Sequence, residues 1–504
     1  MNRNVFFEKY NLQKEKKFQS LQNYLKRKSK KEYKDILKLF SKILNNYHGI
    51  NLTSKNWNYI IGPWLKYILD IIKHKELILK NNSFFKIFFK NTYKNKLIIP
   101  KDFTDFINNS NSDIFNKSIF LYLLFNNSNF FFYKNDKGNY FKNFLYIMYI
   151  ISFKFFNYYR LKKKLIIFDN KFNNRFSQKN SNEIFYPYTN LREINFNKVN
   201  SNLRNTILNK LEKNPKLKHK KKLIFLFANC PIDYLENFEF IKFLSKIVIT
   251  GRKFYCRVSH LDNEYFKNYL AFKKKKELYL DQHGGNFSFA NENLYLDYDK
   301  IISKKIYFWD KINNKKYKSH FKSFKLSHNF KNISEKKYDV CYVLSYLKKY
   351  DFQNEYHENY DYKFKIEQLK NFFKYSNRSS KSVIKLAPNR YKFQLTISDM
   401  KKIGFKKNQI IVKNSTLFKS KLLIFEHLSS LIFETRKENI PFIIILKKKN
   451  FFLSSEGKKI LKIFKKEKIL FESGKEAALY FNKIKSIENW WKSKSKIMNN
   501  IFYN

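Results

Sequence analysis

The residues of this chain best suited to chemistry are the sequence DQHGG at positions 281–285, which follows an apolar run at positions 278–280. Only 9 glycines occur in 504 residues, so two adjacent glycines here indicate a turn where the backbone closely approaches a ligand. A histidine at the carboxyl end of a strand lies where open α/β folds place their active sites. We predict that His283 acts as a general base near neutral pH. Three neighbouring residues are predicted to contact the substrate: Gln282, Gly284 and Gly285.

Two carboxylates form a second candidate site. They lie in the sequence CPIDYLENF at positions 230–238, directly after an apolar run at 223–228 that we expect to be a strand. Asp233 and Glu236 would then stand at a strand end and could serve as catalytic acid or base. Proline and acidic residues are also ordinary features of a helix start, so a purely structural role stays open.

Hydroxyl groups follow a later apolar run at positions 422–425. Ser429 and Ser430 would begin a helix, where free backbone N–H groups and the helix dipole favour a phosphate. Glu434, about one turn later, could accept hydrogen bonds from a ribose or sugar diol. Helix capping alone would produce the same pattern at the two serines.

Basic and acidic residues elsewhere provide weaker candidates. Lys385, Asn389 and Arg390 follow another apolar run and could contact the donor phosphates as charged or amide donors. Asp297 and Asp299 form the acidic pair that some metal-dependent sugar-nucleotide enzymes use to hold a divalent ion. The sequence contains no His/Cys metal array, Walker loop or GxGxxG, so we expect neither a metal nor a bound cofactor.

The elements that must position these residues are read from apolar periodicity. One series of short apolar runs lies at 223–228, 247–250, 278–280 and 306–309, and a second lies at 340–344, 383–386, 410–412, 422–425, 442–446 and 469–471. Helix candidates at 429–438 and 474–484 separate the later runs. This alternation predicts an α/β fold in which parallel sheets are joined by crossover helices.

The predicted organisation is a helical segment at 1–80 and two Rossmann-like domains, 81–320 and 321–504, facing across a cleft. In the helical segment, Gly49 is a plausible helix stop, Thr53 and Ser54 could cap a second helix, and Pro63 should kink or restart it. The apolar run at 144–153 is too short to span a bilayer and is interpreted as a buried core segment.

Composition restricts the possible partners. Lys and Arg total 102 against 41 Asp and Glu, a formal net charge of +61, which by itself is typical of a nucleic-acid binder. The abundance of residues with A/T-rich codons accounts for much of this excess. Anionic phosphate substrates and an anionic membrane surface are the remaining explanations, and no specific nucleic acid is expected. Three separated cysteines and an early charged amino terminus favour a cytoplasmic protein. The basic charge adds the expectation that the protein is peripheral on the inner membrane.

Three sequences in this order, NWNYIIGPWL at 56–65, CPIDYLENF at 230–238 and QHGG at 282–285, resemble a family of transferases encoded in O-antigen and surface-polysaccharide gene clusters. Further matching residues are Trp309, Glu434, Asn439-Ile440-Pro441 and Trp490-Trp491. The chain departs from the pattern at Glu426-His427, where a small polar run is expected.

The resemblance implies a GT-B-like glycosyltransferase that uses a nucleotide-sugar donor and a glycan or lipid-linked glycan acceptor. In the similar capsule polymerases the His-Gly histidine is the proposed base, which agrees with the role predicted for His283. Two alternatives remain open: a non-catalytic nucleic-acid-binding protein, and a metal-dependent GT-A enzyme that would depend on Asp297 and Asp299.

Overall fold

The protein is described by a computed structural model. It covers residues 17–80, 96–110, 112–125, 131–133, 148, 151–152, 155–156, 165–167, 183–185, 199–290, 294–311, 313, 336–345, 362–377, 381–387, 396–412, 417, 419–437, 439–446 and 453–501.

The described part of the amino-terminal region, residues 17–80, is mostly helical, as predicted. Helix α1 (Lys17–His48) ends before Gly49, whose φ of 60° is a left-handed conformation that suits glycine. Helix α2 (Ser54–Lys80) begins where Thr53 Oγ1 accepts a hydrogen bond from the Asn56 N–H at 3.2 Å. Pro63 lies inside α2 and the helix continues on both sides of it, so the predicted restart does not occur.

The strands described before residue 310 form two sheets. Strands β1 (Lys96–Ile98) and β2 (Phe131–Tyr133) pair in parallel. A five-stranded sheet has the order β4-β3-β5-β6-β7, with strands β3 (Leu165–Ile167), β4 (Glu183–Phe185), β5 (Lys253–Cys256), β6 (Glu277–Asp281) and β7 (Lys305–Tyr307). Numbered within the sheet, this is the order 2-1-3-4-5, one of the two common orders of doubly wound α/β sheets. Strands β6 and β7 confirm the predicted strands at 278–280 and 306–309.

Two predicted strands in this part of the chain are wrong. The run at 223–228 lies in helix α6, and the run at 247–250 covers the end of helix α7 and the residues after it. Every residue at 223–228 is buried, so the run has no polar residues whose spacing would distinguish a helix from a strand. The described part of this region includes the helices α3 (Phe103–Asn109), α4 (Asp113–Phe125), α5 (Ser201–Glu212), α6 (Lys220–Ala228), α7 (Phe238–Val248), α8 (Ser259–Asp262), α9 (Glu264–Phe272) and α10 (Leu294–Ile302).

The second series of apolar runs forms one six-stranded parallel sheet of order β10-β9-β8-β11-β12-β13. Each predicted run lies on a strand: β8 (Tyr338–Val343), β9 (Ser382–Lys385), β10 (Ile410–Ile411), β11 (Ser420–Phe425), β12 (Phe442–Ile445) and β13 (Leu470–Phe471). Numbered within the sheet, the order is 3-2-1-4-5-6, the other common doubly wound order. It reverses between β8 and β11.

Helices cover both faces of this sheet. They are α11 (Tyr362–Tyr375), α12 (Ile397–Lys402), α13 (Leu431–Lys437), α14 (Ser455–Lys466), α15 (Gly474–Asn482) and α16 (Ile487–Ile501), and α13 and α15 confirm the two helices predicted here. Along β11, Leu423 and Phe425 enter one hydrophobic core, and Leu422 and Ile424 enter the other. Alternate residues of a strand point to opposite faces, so a continuous apolar run is what two covered faces require.

The chain divides into two compact units, one of residues Met1–Tyr279 with Ile301–Lys304 and the other of Leu280–Lys300 with Lys305–Asn504. The turn that carries His283 therefore belongs to the unit of the six-stranded sheet. The three predicted domains, 1–80, 81–320 and 321–504, remain a prediction.

The run at 144–153 was predicted to be a buried core segment, and for the three residues of it that the structure describes this prediction is wrong. Its described residues, Met148, Ile151 and Ser152, are exposed. Among the residues that the structure describes, no helix is both long and apolar enough to cross a bilayer.

Candidate functional site

The turn after β6 is held by the side chain of Gln282. This side chain is fully buried, and its Nε2 donates to the Gly284 carbonyl at 2.7 Å and to Ser288 Oγ at 3.2 Å. Its Oε1 accepts from the Trp309 backbone N–H at 3.0 Å. Gln282, predicted as a substrate contact, is therefore engaged at both ends of its amide and positions the turn.

Two buried carboxylates support the same turn. Asp281 Oδ1 accepts from Trp309 Nε1 at 3.3 Å. Asp310 accepts from Asn313, through the backbone N–H at 2.7 Å and through Nδ2 at 3.0 and 3.1 Å. Burial raises the pKa of Asp310, and hydrogen bonds from Ser288 and Asn313 oppose that shift. The ends of β6 and β7 are thus tied together by buried polar contacts that sequence inspection did not identify.

His283 is half-buried between two aromatic rings. Its imidazole lies 4.7 Å from the Phe287 ring and 5.1 Å from the Tyr295 ring, both in edge-to-face geometry. Gly285 begins the short 3-10 turn Gly285–Ser288 that carries Phe287. The strand, the glycines and the rings together place a titratable group at a strand end, as predicted.

The His283 turn packs against the segment that follows β11. The Trp309 ring meets the Phe433 ring edge-to-face at 5.4 Å, and Phe289 lies 6.0 Å from the same ring. Phe433 belongs to α13, the helix that also carries Glu434. The tertiary structure therefore brings together two predicted site regions that are about 150 residues apart in the sequence.

A second contact fixes the same turn from α14. The Phe289 carbonyl accepts from the Ser454 N–H at 2.9 Å. A Cβ atom placed on Gly457 would lie 2.2 Å from this carbonyl oxygen. Glycine is required at position 457 because backbone passes so close to it.

The two serines before α13 are half-buried. Ser429 Oγ accepts from the Leu431 N–H at 3.2 Å, and the Ser430 carbonyl accepts from the Glu434 N–H at 3.2 Å. Ser429 therefore caps the chain as it enters α13, and Glu434 lies in the first turn of that helix. Phosphate binding by these residues stays a prediction.

A polar cluster that sequence inspection missed lies where the strand order reverses, at the carboxyl ends of β8 and β11. Glu426 Oε1 accepts from the Ser345 backbone N–H and from Ser345 Oγ, both at 2.8 Å. Lys365 Nζ donates to Ser345 Oγ and lies 3.6 Å from Glu426 Oε1. Ligands of doubly wound sheets bind in this crevice. The available signal was that Glu426 directly follows a buried strand.

Two further atoms of this region are buried without a hydrogen-bond partner among the described residues: Glu426 Oε2 and His427 Nδ1. Burial, assisted by the Lys365 charge, lowers the pKa of His427 to about 3, so its imidazole is neutral at physiological pH. A buried polar atom without a partner is costly, and a bound ligand can supply the missing hydrogen bond.

Lys385, predicted to contact donor phosphates, is buried at the end of β9. Its Nζ donates to the Leu386 carbonyl at 2.5 Å, and burial lowers its pKa. Asn389 and Arg390 lie outside the described residues.

Asp233 lies in a buried turn rather than at a strand end. Its backbone N–H donates to the Lys101 carbonyl at 2.9 Å, and its Oδ1 accepts from Asn237 Nδ2 at 2.9 Å. Burial, opposed by the Lys101 charge, raises the pKa of Asp233 to about 8. At neutral pH such a carboxyl is mostly protonated, and it would donate a proton rather than accept one.

Glu236 forms a buried bidentate ion pair with Arg204. The two hydrogen bonds are 2.7 Å from Nε to Oε1 and 2.6 Å from Nη2 to Oε2, and the Arg204 side chain has no exposed surface. Arg204 Nη1 also donates to the Phe227 carbonyl at 3.2 Å. Both Glu236 oxygens are occupied, which favours a structural role over the predicted catalytic one.

The two sequences that carry the resemblance in the amino-terminal half meet in one aromatic core. Trp57 stacks on Phe238 at 5.1 Å, and Trp64 meets Tyr234 edge-to-face at 6.0 Å. These residues join α2 to the turn before α7, and they explain the motifs at 56–65 and 230–238 as packing.

The acidic pair considered for a metal lies in α10. Residues two apart on a helix point to different sides, and Asp299 is buried whereas Asp297 is half-buried. Within the described part of the chain, no group of three His, Cys, Asp or Glu side chains is arranged to hold a metal ion.

A family model described as LIC12162 family transferase matches residues 2–498, nearly the whole chain. No curated protein and no solved structure matches the chain significantly.

Proposed function

The chain belongs to the LIC12162 family of transferases, and from this premise we propose that it moves a sugar from a nucleotide-sugar donor to a surface-polysaccharide acceptor. The observation that carries the proposal is the packing of the His283 turn against α13 through Trp309 and Phe433. It places a titratable group and a polar strand-end region in one compact unit. The two doubly wound strand orders support Rossmann-like domains of the GT-B type.

The donor nucleotide is assigned to the crevice at the ends of β8 and β11. Glu426 Oε2 and His427 Nδ1 could each accept a hydrogen bond from the ligand, since both are buried without a partner among the described residues. Hydroxyl donors of a ribose suit a carboxylate acceptor. Ser429 and Ser430, which follow directly, are proposed to contact the donor phosphates, with Glu434 on the sugar diol.

The proposed reaction is displacement at the anomeric carbon. The acceptor oxygen forms the new C–O bond, the bond to the nucleotide phosphate breaks, and the acceptor proton passes to the His283 imidazole. The nucleotide leaves with the electron pair of the broken bond. The half-buried setting of His283 between Phe287 and Tyr295 would limit access of competing water.

The experiment is a thermal and isothermal binding screen of the full chain against nucleoside mono- and diphosphates. A bound nucleotide should stabilise the protein by about 2.7 kcal/mol at a hundredfold excess over its Kd. Glu426→Gln keeps the size of the side chain and should weaken binding by at least about tenfold, because a charged acceptor is lost.

The matched control is Glu467→Gln, which removes the ion pair with Lys494 at the end of α14 and should leave nucleotide binding unchanged. The donor-site proposal fails if Glu426→Gln binds nucleotide like the wild type. The function itself fails if no nucleotide binds and no sugar nucleotide is turned over.

A further inference from the structure

The outward side of helix α7 carries an apolar patch. Phe243 is 59% exposed there, and a phenylalanine is seldom left in water to this extent. Phe240 and Ile247, three residues before and four residues after it on the same side of the helix, are half-buried. The opposite side of α7 packs into the protein with the buried residues Phe238, Ile241, Leu244, Ser245 and Val248. Clustered apolar groups that face solvent mark an interaction surface.

Basic residues lie beside this patch. Lys246, one turn further along α7, is exposed, and its Nζ lies 5.8 Å from the centre of the Phe272 ring at the end of α9. Directly after Phe272 the chain continues as four consecutive lysines, residues 273–276, of which Lys274 and Lys275 are exposed. The end of α7 and this lysine loop therefore form one continuous surface.

The start of β5 adds two more basic residues to this surface. The Arg252 carbonyl accepts from the Glu277 N–H at 2.7 Å, so Arg252 lies beside the end of the lysine loop. Arg252 and Lys253 are both exposed. We call the whole the Phe243 surface, and define it by Phe243, Lys246, Arg252, Lys253, Lys274 and Lys275.

Two carboxylates at the border of the Phe243 surface are paired with lysines. Glu239 binds Lys242, and Glu277 Oε1 accepts from Lys304 Nζ at 2.8 Å. The surface therefore keeps a local excess of positive charge, which attracts an anionic partner. A second copy of this chain is disfavoured, because it has the same formal net charge of +61.

The combination of apolar and basic residues distinguishes between anionic partners. A bilayer offers acyl chains to an apolar side chain and anionic headgroups to lysines. Nucleic acid would engage the lysines and could stack a base on Phe243, but it would leave Ile247 without an apolar partner. The Phe243 surface therefore matches an anionic bilayer better than it matches nucleic acid.

We propose that the Phe243 surface docks the protein on a bilayer that contains anionic lipids. Phe243, flanked by Phe240 and Ile247, inserts at the boundary between headgroups and acyl chains, and the basic side chains contact the headgroups. This proposal does not depend on sugar transfer. It places the protein where a lipid-linked acceptor would be presented.

Vesicle sedimentation of the full chain tests the proposal. Vesicles of phosphatidylcholine are compared with vesicles that contain about 30 mol% phosphatidylglycerol, at about 0.1 and 0.5 M salt. The wild type should bind the anionic vesicles. The higher salt concentration should weaken this binding without abolishing it, because the apolar contact of Phe243 is not screened.

Two variants separate the apolar and the electrostatic contributions. Phe243→Ser should bind the anionic vesicles about tenfold more weakly at both salt concentrations, since the apolar contact is lost. Lys274→Gln with Lys275→Gln should weaken binding roughly 10- to 30-fold at the lower salt concentration and much less at the higher one. The melting temperature should change little in either variant, because all three side chains are exposed.

Matched controls come from the other compact unit. Leu479→Ser removes an apolar side chain that is 45% exposed on α15. Lys458→Gln with Lys462→Gln removes the same charge as the Lys274 and Lys275 substitutions, but from the outward side of α14. No large apolar side chain is exposed along α14, which the structure describes completely. Both controls should bind the anionic vesicles like the wild type.

A second readout places a probe on the surface itself. Cys230, Cys256 and Cys341 are buried, so Phe243→Cys can be labelled selectively with a polarity-sensitive maleimide dye. The dye emission should shift to the blue on anionic vesicles and be quenched by brominated acyl chains. The same dye on Leu479→Cys should show neither change.

The proposal is overturned if Phe243→Ser binds anionic vesicles like the wild type, or if the controls on α14 and α15 lose binding equally. It is also overturned if brominated lipids do not quench the dye on Phe243→Cys. Single-stranded RNA that binds through Phe243 and Lys274 while vesicles do not bind would identify a nucleic-acid surface instead. None of these results decides whether the protein transfers a sugar, because nucleotide binding is measured without vesicles.

Discussion

Replacing Glu236 with alanine tests whether this carboxylate stabilises the fold or takes part in the reaction. The substitution removes the carboxylate that pairs with the buried Arg204 guanidinium, whose side chain has no exposed surface and whose two short hydrogen bonds go to Glu236. The carbonyl of Phe227 accepts from Arg204 as well, but it carries no full charge. The variant therefore contains a buried cation that has lost a bidentate ion pair.

Breaking a buried ion pair by removing one partner costs about 3–5 kcal/mol. At roughly 2–4 °C per kcal/mol for a unit of this size, the melting temperature should fall by about 6–20 °C. Urea unfolding followed by far-ultraviolet circular dichroism measures the free energy, and calorimetry measures the melting temperature. The assay requires no substrate, so it separates stability from catalysis.

Two further variants complete this experiment. Glu239→Ala removes an exposed carboxylate three residues later and should cost no more than about 0.5 kcal/mol. Arg204→Met combined with Glu236→Leu removes both charges and should recover most of the lost stability. The structural interpretation is refuted if Glu236→Ala unfolds at the wild-type urea concentration. If its turnover were nevertheless abolished, Glu236 would return as a catalytic candidate.

The remaining predictions concern the base, a buried carboxyl, the turn and the metal. His283→Ala should lower kcat by about 10²–10⁴-fold in a sugar-transfer assay, while the nucleotide affinity stays nearly constant. Near wild-type turnover in a folded His283→Ala variant would contradict the assignment of His283 as the base. Burial raises the pKa of Asp233 from 3.8 to about 8, so the folded protein holds a proton that the unfolded chain loses between these pH values. The free energy of unfolding should therefore decrease as the pH rises through that window, by up to about 1.4 kcal/mol per pH unit. Asp233→Asn removes the titrating carboxyl and should weaken this dependence of stability on pH. Gly457→Ala adds a methyl group that should displace the Phe289 backbone and lower both turnover and stability. In the control Gly474→Ala the methyl group meets the Gln368 carbonyl instead, so this variant should lose stability but not turnover. Turnover should survive EDTA, and activity that is lost with EDTA, restored by manganese and lost again in Asp297→Ala would favour the GT-A alternative.

Local sequence patterns predicted the six-stranded sheet well and the region before it less well. Each run of the second series became a strand because short, β-branched apolar stretches bounded by polar residues fit a sheet buried on both faces. The run at 223–228 is equally apolar but lies in α6, since burial on all sides removes the period that distinguishes a helix from a strand. The apolar run at 144–153 was interpreted as core, yet its described residues are exposed. The composition of a segment shows how apolar it is, but it does not show which other parts of the fold surround that segment.

For the candidate site, the sequence by itself determined that His283 follows a buried strand and precedes a glycine-containing turn. Only the tertiary structure decided which of the candidate polar groups are engaged by distant parts of the fold. Gln282 is engaged by Trp309, 27 residues later, and Glu236 by Arg204, 32 residues earlier. Glu426 meets Ser345 across 81 residues because parallel strands align their carboxyl ends. Periodicity reports only the environment within a few residues, whereas partners, burial and pKa arise from contacts between distant segments.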